Sequence, residues 1–302
     1  MMRNVLIMLA ILIIISGCAT VEVITFQAEE AKHIDKVSIL GPEQSSPLTA
    51  SITGDANMFY ILMGPTIIPQ IMMGFATRQA NNEEADYLND LIFDFNIEEI
   101  FREKFRHELE VNTFFKPVVE SRDSDNHELM DLINKFPKSH EDYIKIANTM
   151  GTDTIIELSV YSYSLKDPGI WWDPNVILTV DARMTRPKDN KVLWQNRMTE
   201  NTKRKPMGLD YMYYRENNGE LLRLELEAAA EIVAKALVLD LGFEIKGGIN
   251  DIREIVTEKV IETVEEYRVL YPYPGTGPGY GYGHSRGNRT TPQGFSINAG
   301  IR

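Results

Sequence analysis

Apolar residues fall at every second position through much of the middle of the chain. In Asp153–Leu165 they stand at Ile156, Leu158 and Val160, with Tyr161 and Tyr163 carrying the alternation on. A period of two lines one face of a β-strand. Val176–Arg186 reads the same way, and so does Lys191–Thr199 through Val192, Trp194, Asn196 and Met198. Pro187-Lys188-Asp189-Asn190 between them has turn composition. The three segments predict an antiparallel meander, with Tyr161 and Tyr163 on one face of its first strand. An earlier strand is predicted over Lys36–Leu40, stopped by Gly41-Pro42, and another over Thr113–Val119. The Ser, Thr, Pro and Gly residues from Gly41 to Asn57 predict a loop, and Val21–Ala31 reads as a short spacer.

Elsewhere the apolar period lengthens to that of a helix. Leu88, Leu91, Ile92, Phe95, Ile97, Ile100, Phe101, Phe105 and Leu109 predict one long helix over Asn82–Val111, acidic at its start and basic later, as the macrodipole favours. Ser124–Phe136 predicts a short helix. Ser139 followed by Asp142 predicts an N-cap for Glu141–Met150, closed by Gly151. Gly219–Leu241 predicts an alanine-rich amphipathic helix ended by Gly242, and Asp251–Leu270 a further amphipathic helix. The order of elements predicts an α+β fold: a mixed sheet with an antiparallel meander and helices packed on one face. Its domain spans 34–245, the helix 251–270 follows, and Tyr271–Arg302 is a Tyr/Pro/Gly-rich tail, disordered by composition.

Two stretches fit neither period. Met58–Thr77 is almost wholly apolar, but Gly64-Pro65, Pro69 and Gly74 interrupt it, and two prolines forbid an unbroken helix. It reads either as two short buried segments or as an apolar loop that touches lipid or a partner. Trp171 and Trp172 sit in Asp167-Pro168-Gly169-Ile170-Trp171-Trp172-Asp173-Pro174, a hairpin tip by composition. Two indoles there either fold back on the sheet or form a partner contact, since Trp is enriched at interface hot spots.

The amino terminus decides where the rest works. Met1-Met2-Arg3-Asn4 is a short positive start, Val5–Ile15 an uncharged apolar run, and Ile15-Ser16-Gly17-Cys18 a small-residue step into cysteine. A positive, an apolar and a small-residue region in this order make a secretory signal. The apolar run is shorter than the roughly 20 residues that a spanning helix needs. This step resembles the lipobox of bacterial lipoproteins. The resemblance implies a signal peptide over residues 1–17, a linker over 18–33 lipidated at Cys18, and three acyl chains as a permanent tether, since one chain alone holds only weakly. No Asp follows Cys18, which in the enterobacterial pattern implies the outer membrane, so palmitate-type acylation and a periplasmic face are expected.

Charge and composition then narrow the chemistry. The net charge of −13 gives no electrostatic reason to bind nucleic acid. Cys18 is the single cysteine, so neither an internal disulfide nor a cysteine zinc site is open to the chain. No Walker motif, HExxH or G-x-S-x-G is present, and Gly275, Gly277 and Gly279 follow no strand, so they make no phosphate loop. Asp123, Asp125, His127 and Glu128 lie close in sequence but lack EF-hand spacing and read as a solvated loop and helix start. His140 reads as a surface residue at a helix start. No catalytic residue, metal or cofactor is expected.

Val37–Leu40, the helix with Ile100, Phe101 and Phe105, the step Ala147–Ile156, the hairpin Val176–Thr199 with Lys191-Val192-Leu193-Trp194, and the closing helix resemble one family. It is that of the periplasmic lipoproteins related to the curli secretion channel, the peptidoglycan-synthase activators and the amino-terminal domain of TolB. The likeness covers roughly residues 35–243. Its Ala-x-x-x-Gly-x-Asp step and its strand ending in Val-Leu-Trp are topological motifs and carry over no catalytic residue. Met58–Thr77 and the tail depart from the pattern, and no pair of amphipathic transmembrane hairpins is evident. The leading expectation is a non-enzymatic scaffold or assembly factor of the outer membrane, with Cys18 in the membrane and periplasmic or outer-membrane proteins as partners. The alternative is an oligomeric secretion or export component related to the curli channel, which makes homo-oligomerisation part of the picture. An enzyme is the third reading, and no nucleophile–base pair supports it.

Overall fold

A computed structural model describes residues 22–41, 47–52, 81–118, 137–167, 173–202, 211–215, 217–246 and 249–270. Strands β1 (Lys36–Leu40), β2 (Thr49–Ile52), β3 (Lys116–Val118), β4 (Thr154–Asp167), β5 (Asn175–Arg186) and β6 (Lys191–Asn201) form one mixed sheet. Its order is β3-β1-β4-β5-β6, with β2 beside the far end of β4. β3 and β4 flank β1 in parallel, and β4, β5 and β6 make the expected antiparallel meander. β4 is long enough to carry β1 along its first residues and β2 along its last, where Ile52 pairs with Asp167.

The alternation puts Ile156, Leu158, Val160, Val176, Leu178, Val180, Ala182 and Met184 on one face, all buried in the main core. The helix over 81–91 (α2), α3 (Ile97–Asn112) and α5 (Glu220–Asp240) contribute Leu88, Phe101, Phe105, Leu109, Leu226, Val233 and Leu237 to the same core. The fold is thus α+β, with its long helices packed on one face of the sheet. The shorter α4 (His140–Met150) lies against the other face at one end, where Leu40, Tyr143, Ile146, Ala147 and Ile155 form a small second core. Ser139 caps α4 in a reciprocal capping box with Asp142, and Gly151 closes it at a left-handed φ of 64°. The final helix α6 (Ile249–Leu270) leans on α5, and Arg253 grips Glu200 with two hydrogen bonds of 3.2 and 2.7 Å.

Four sequence expectations are corrected. The long helix over Asn82–Val111 is two helices. The chain turns at 92–94, and Asn96, in extended conformation, accepts from the Glu99 amide at 3.1 Å and starts α3 afresh. The loop to Asn57 contains β2, fixed by Asn89, whose side chain accepts from Leu48 N at 2.8 Å and donates to Leu48 O at 3.0 Å. The spacer Val21–Ala31 is tied down. Ile24 exchanges backbone hydrogen bonds of 2.8 and 3.0 Å with Gln195, and Phe26 is buried against Phe115. Next comes the one-turn helix α1 (Ala28–Ala31), in which Glu30 pairs with Arg186 and Lys191. Finally, Tyr161 and Tyr163 part company. The register shift between Val160 and Ser162 leaves Tyr161 as an extra residue, 57% exposed, and turns Tyr163 into the core at 4%. Such a bulge breaks the two-residue period locally. The predicted helix Ser124–Phe136 lies outside the described residues, as does Tyr271–Arg302.

Candidate functional site

An antiparallel sheet can leave one face to water, and then polar side chains take every second position. The face away from α3 and α5 follows this rule. β4 contributes Glu157 and Ser159; β5 contributes Thr179, Asp181, Arg183 and Thr185; β6 contributes Gln195, Arg197 and Thr199. Thr179 and Thr199 share a hydrogen bond of 3.0 Å across the strands. Asp181 accepts twice from Arg197, at 2.5 and 2.7 Å, and the guanidinium stacks over Tyr161 with 3.8 Å to the ring centre. Tyr161 follows Glu157 and Ser159 onto this face, and the bulge beside it sends Tyr163 into the core.

α4 closes one end of the open face. Tyr143, Glu157, Ser159, Asp181, Arg183 and Gln195 are among the residues that line a pocket of about 380 Å³ there. Tyr143 Oη donates to Glu157 Oε2 at 2.9 Å, and Arg183 Nε lies 4.0 Å from the same oxygen. Burial pushes the Glu157 carboxyl above the usual carboxylate range, and the Tyr143 hydroxyl and the Arg183 charge offset only part of that. Burial, then the charge of Glu157, also raises the Tyr143 phenol. Arg183 Nε is buried and has no hydrogen-bond partner among the described residues.

These groups can bind, orient and exclude water. Asp181 is committed to Arg197, and Glu157 is committed to Tyr143. Ser159 makes no hydrogen bond to either carboxylate among the described residues, and no histidine lines the pocket. His140 is exposed, with Nε2 2.6 Å from the Pro187 carbonyl oxygen, as a surface residue at a helix start. No group of three or more His, Cys, Asp or Glu suited to a metal ion occurs among the described residues. None of their helices is long and apolar enough to cross a membrane.

Of the residues singled out from the sequence, Cys18, Trp171, Trp172, Met58–Thr77 and the group Asp123–Glu128 lie outside the described ones. Sequence reading missed the open-face set of Tyr143, Glu157, Asp181, Arg183 and Arg197. The signal was there in Ile156-Glu157-Leu158-Ser159 and Val180-Asp181-Ala182-Arg183, where charges take the polar beats of the alternation. The contribution of Tyr143 from a separate helix carried no such signal.

No family model matches the chain, and no curated protein matches it in sequence. Several solved structures resemble it at a distance. The hypothetical protein CT253 from Chlamydia trachomatis is 10% identical, with 68% of this chain and 96% of that one covered, at a TM-score of 0.35. PelC from Paraburkholderia phytofirmans, solved as a dodecamer, is 8% identical over 74% of this chain and 98% of its own, at 0.34. Lipoprotein GNA1162 from Neisseria meningitidis is 8% identical over 69% and 98%, at 0.29. These are distant likenesses.

Proposed function

We propose that this chain is an envelope lipoprotein, held on the periplasmic side of the outer membrane through Cys18, whose α+β domain serves as a non-enzymatic scaffold or assembly factor. The observation that carries the reading is the short distance from anchor to fold. Ile24 is already bonded to β6 through both backbone groups. Cys18 lies six positions before it, a reach of about 20 Å at full extension. An acylated Cys18 thus keeps the domain against the membrane surface. The open sheet face, with its paired charges and its pocket, is the surface such a scaffold offers to periplasmic partners. Commitment of Glu157 and Asp181 to neighbouring side chains favours binding over catalysis.

The test is metabolic labelling with an alkyne fatty acid, followed by separation of inner and outer membranes. Wild type should carry label in the outer-membrane fraction, and Cys18→Ala should carry none. Label retained by the variant, or absent from wild type, contradicts the anchor. Mass measurement in detergent separates the two roles: a monomer or small assembly supports the scaffold, and a large ring supports an export component.

A further inference from the structure

Strand register lays the floor of the pocket beside α4 in two rows. Glu157 of β4, Arg183 of β5 and Gln195 of β6 stand opposite one another in the first row, and Ser159, Asp181 and Arg197 in the second. Pro137 and the Tyr143 ring add apolar wall. Polar atoms buried away from water are normally hydrogen-bonded. The groups left without a partner therefore show what the pocket lacks.

Most of the acceptors are already taken. Both oxygens of Asp181 hold Arg197, and Glu157 Oε2 accepts from Tyr143. Asn196, also in the lining, accepts from the Arg197 amide at 2.7 Å and donates to Asp240 at 2.8 Å. Gln195 Nε2 donates to Glu22 O at 3.0 Å. The donors are less well served. Arg183 Nε is buried without a hydrogen-bond partner among the described residues, and its 4.0 Å approach to Glu157 Oε2 is beyond hydrogen-bond reach. Ser159 is the diagonal neighbour of Arg183 across the strands, close enough for one ligand to meet both.

We infer that this pocket is a carboxylate-binding site, in which Arg183 receives the carboxylate of a partner protein, carried on an acidic side chain or a chain end. The inference deepens the reading of the open face as a binding surface and rests on it. A guanidinium offers a planar fork of N–H donors that a carboxylate fits with two parallel bonds, and the Nε–H is one prong of that fork. Charge agrees. Asp181 is neutralised by Arg197, which leaves Glu157 as the competitor for Arg183. Burial holds the Glu157 carboxyl above the usual carboxylate range, which weakens that competition.

The test follows the Arg183 Nε–H by NMR in full-length protein, isotope-labelled at arginine nitrogen and held in detergent micelles. The resonance is assigned as the one lost in Arg183→Lys. The probes are N-acetylglycine, N-acetylglutamic acid α-amide and the uncharged N-acetylglutamine α-amide. The expected result is a saturable shift with one or both acids and none with the uncharged amide. A response to N-acetylglycine alone identifies a chain end as the source, and a response to the glutamic acid analogue alone an acidic side chain. Ligand-detected saturation transfer then compares variants, with the other arginine resonances reporting that each keeps its fold. Arg183→Ala should weaken binding about tenfold or more, and Glu157→Gln should tighten it. No saturable shift, an equal response to the uncharged amide, unchanged affinity in Arg183→Ala, or weaker binding in Glu157→Gln overturns the carboxylate site. Photo-crosslinking from Thr179 reports on the open face separately. A face that captures a partner there but takes no carboxylate defeats this inference alone.

Discussion

The two faces of one sheet obey different rules. The face under α3 and α5 is a continuous apolar surface into which Trp194, Tyr214, Phe101 and Phe105 are sunk without exposure above 1%. Several of its polar atoms are tied off. Trp194 Nε1 and Asn196 Nδ2 both donate to Asp240 Oδ2, at 2.6 and 2.8 Å, and Tyr214 Oη donates to the buried Glu225 at 2.7 Å. The opposite face holds hydroxyls, amides and ion pairs in partial contact with water. Burying apolar area stabilises a fold far more than exposed charge pairs do. The first face thus holds the domain together, and the second is freer to vary.

Substitutions can break this contrast. Trp194→Ala removes the largest fully buried side chain among the described residues and leaves Asp240 with one donor fewer, so it should cost about 3–5 kcal/mol in chemical denaturation. A cost below that of an ordinary surface change would mean that the inner face is not the core. Tyr214→Phe keeps the ring but removes the hydroxyl that serves Glu225 and the Pro174 carbonyl oxygen, at a cost of about 1–3 kcal/mol. On the open face, Arg197→Ala breaks a partly exposed pair, and its expected cost is about 0–1 kcal/mol. A larger loss there would make the open face structural.

The smallest effect is a change of slope with pH. Burial raises the Glu157 carboxyl, so its neutral form is the one the fold favours. Stability from that source is present at low pH and is lost as pH rises from the unfolded carboxylate range through the raised folded value. Denaturation of wild type and Glu157→Gln at pH 4 and pH 7 should show the variant gaining on wild type at the higher pH. A constant difference between them contradicts the burial argument.

Local chemistry made much of this legible in the sequence. The meander, the Ser139 cap and the Gly151 and Gly242 stops were each announced by a few adjacent residues. The break at Asn96 was also written there, as an Asn three residues before Glu99, but the strong apolar period on both sides masked it. Other features depend on distant partners. β2 is four unremarkable residues made into a strand by β4 and Asn89. Tyr214 lies in a polar stretch, yet it is buried because Glu225 and Pro174 receive its hydroxyl. The split of Tyr161 from Tyr163 follows from a bulge that simple alternation cannot foresee. The pocket needed α4 to fold over the sheet before Tyr143 could reach Glu157.

The central claim is that the open face is the working surface of a membrane-held scaffold. A photo-crosslinking residue placed in living cells at Thr179, on that face, and separately at Glu227, exposed on α5, tests it directly. The account predicts that the Thr179 probe captures a defined envelope protein, that Arg183→Ala or Arg197→Ala weakens the capture without unfolding the domain, and that the Glu227 probe does not give the same product. The same product from both positions, or capture from Glu227 with none from Thr179, would contradict it.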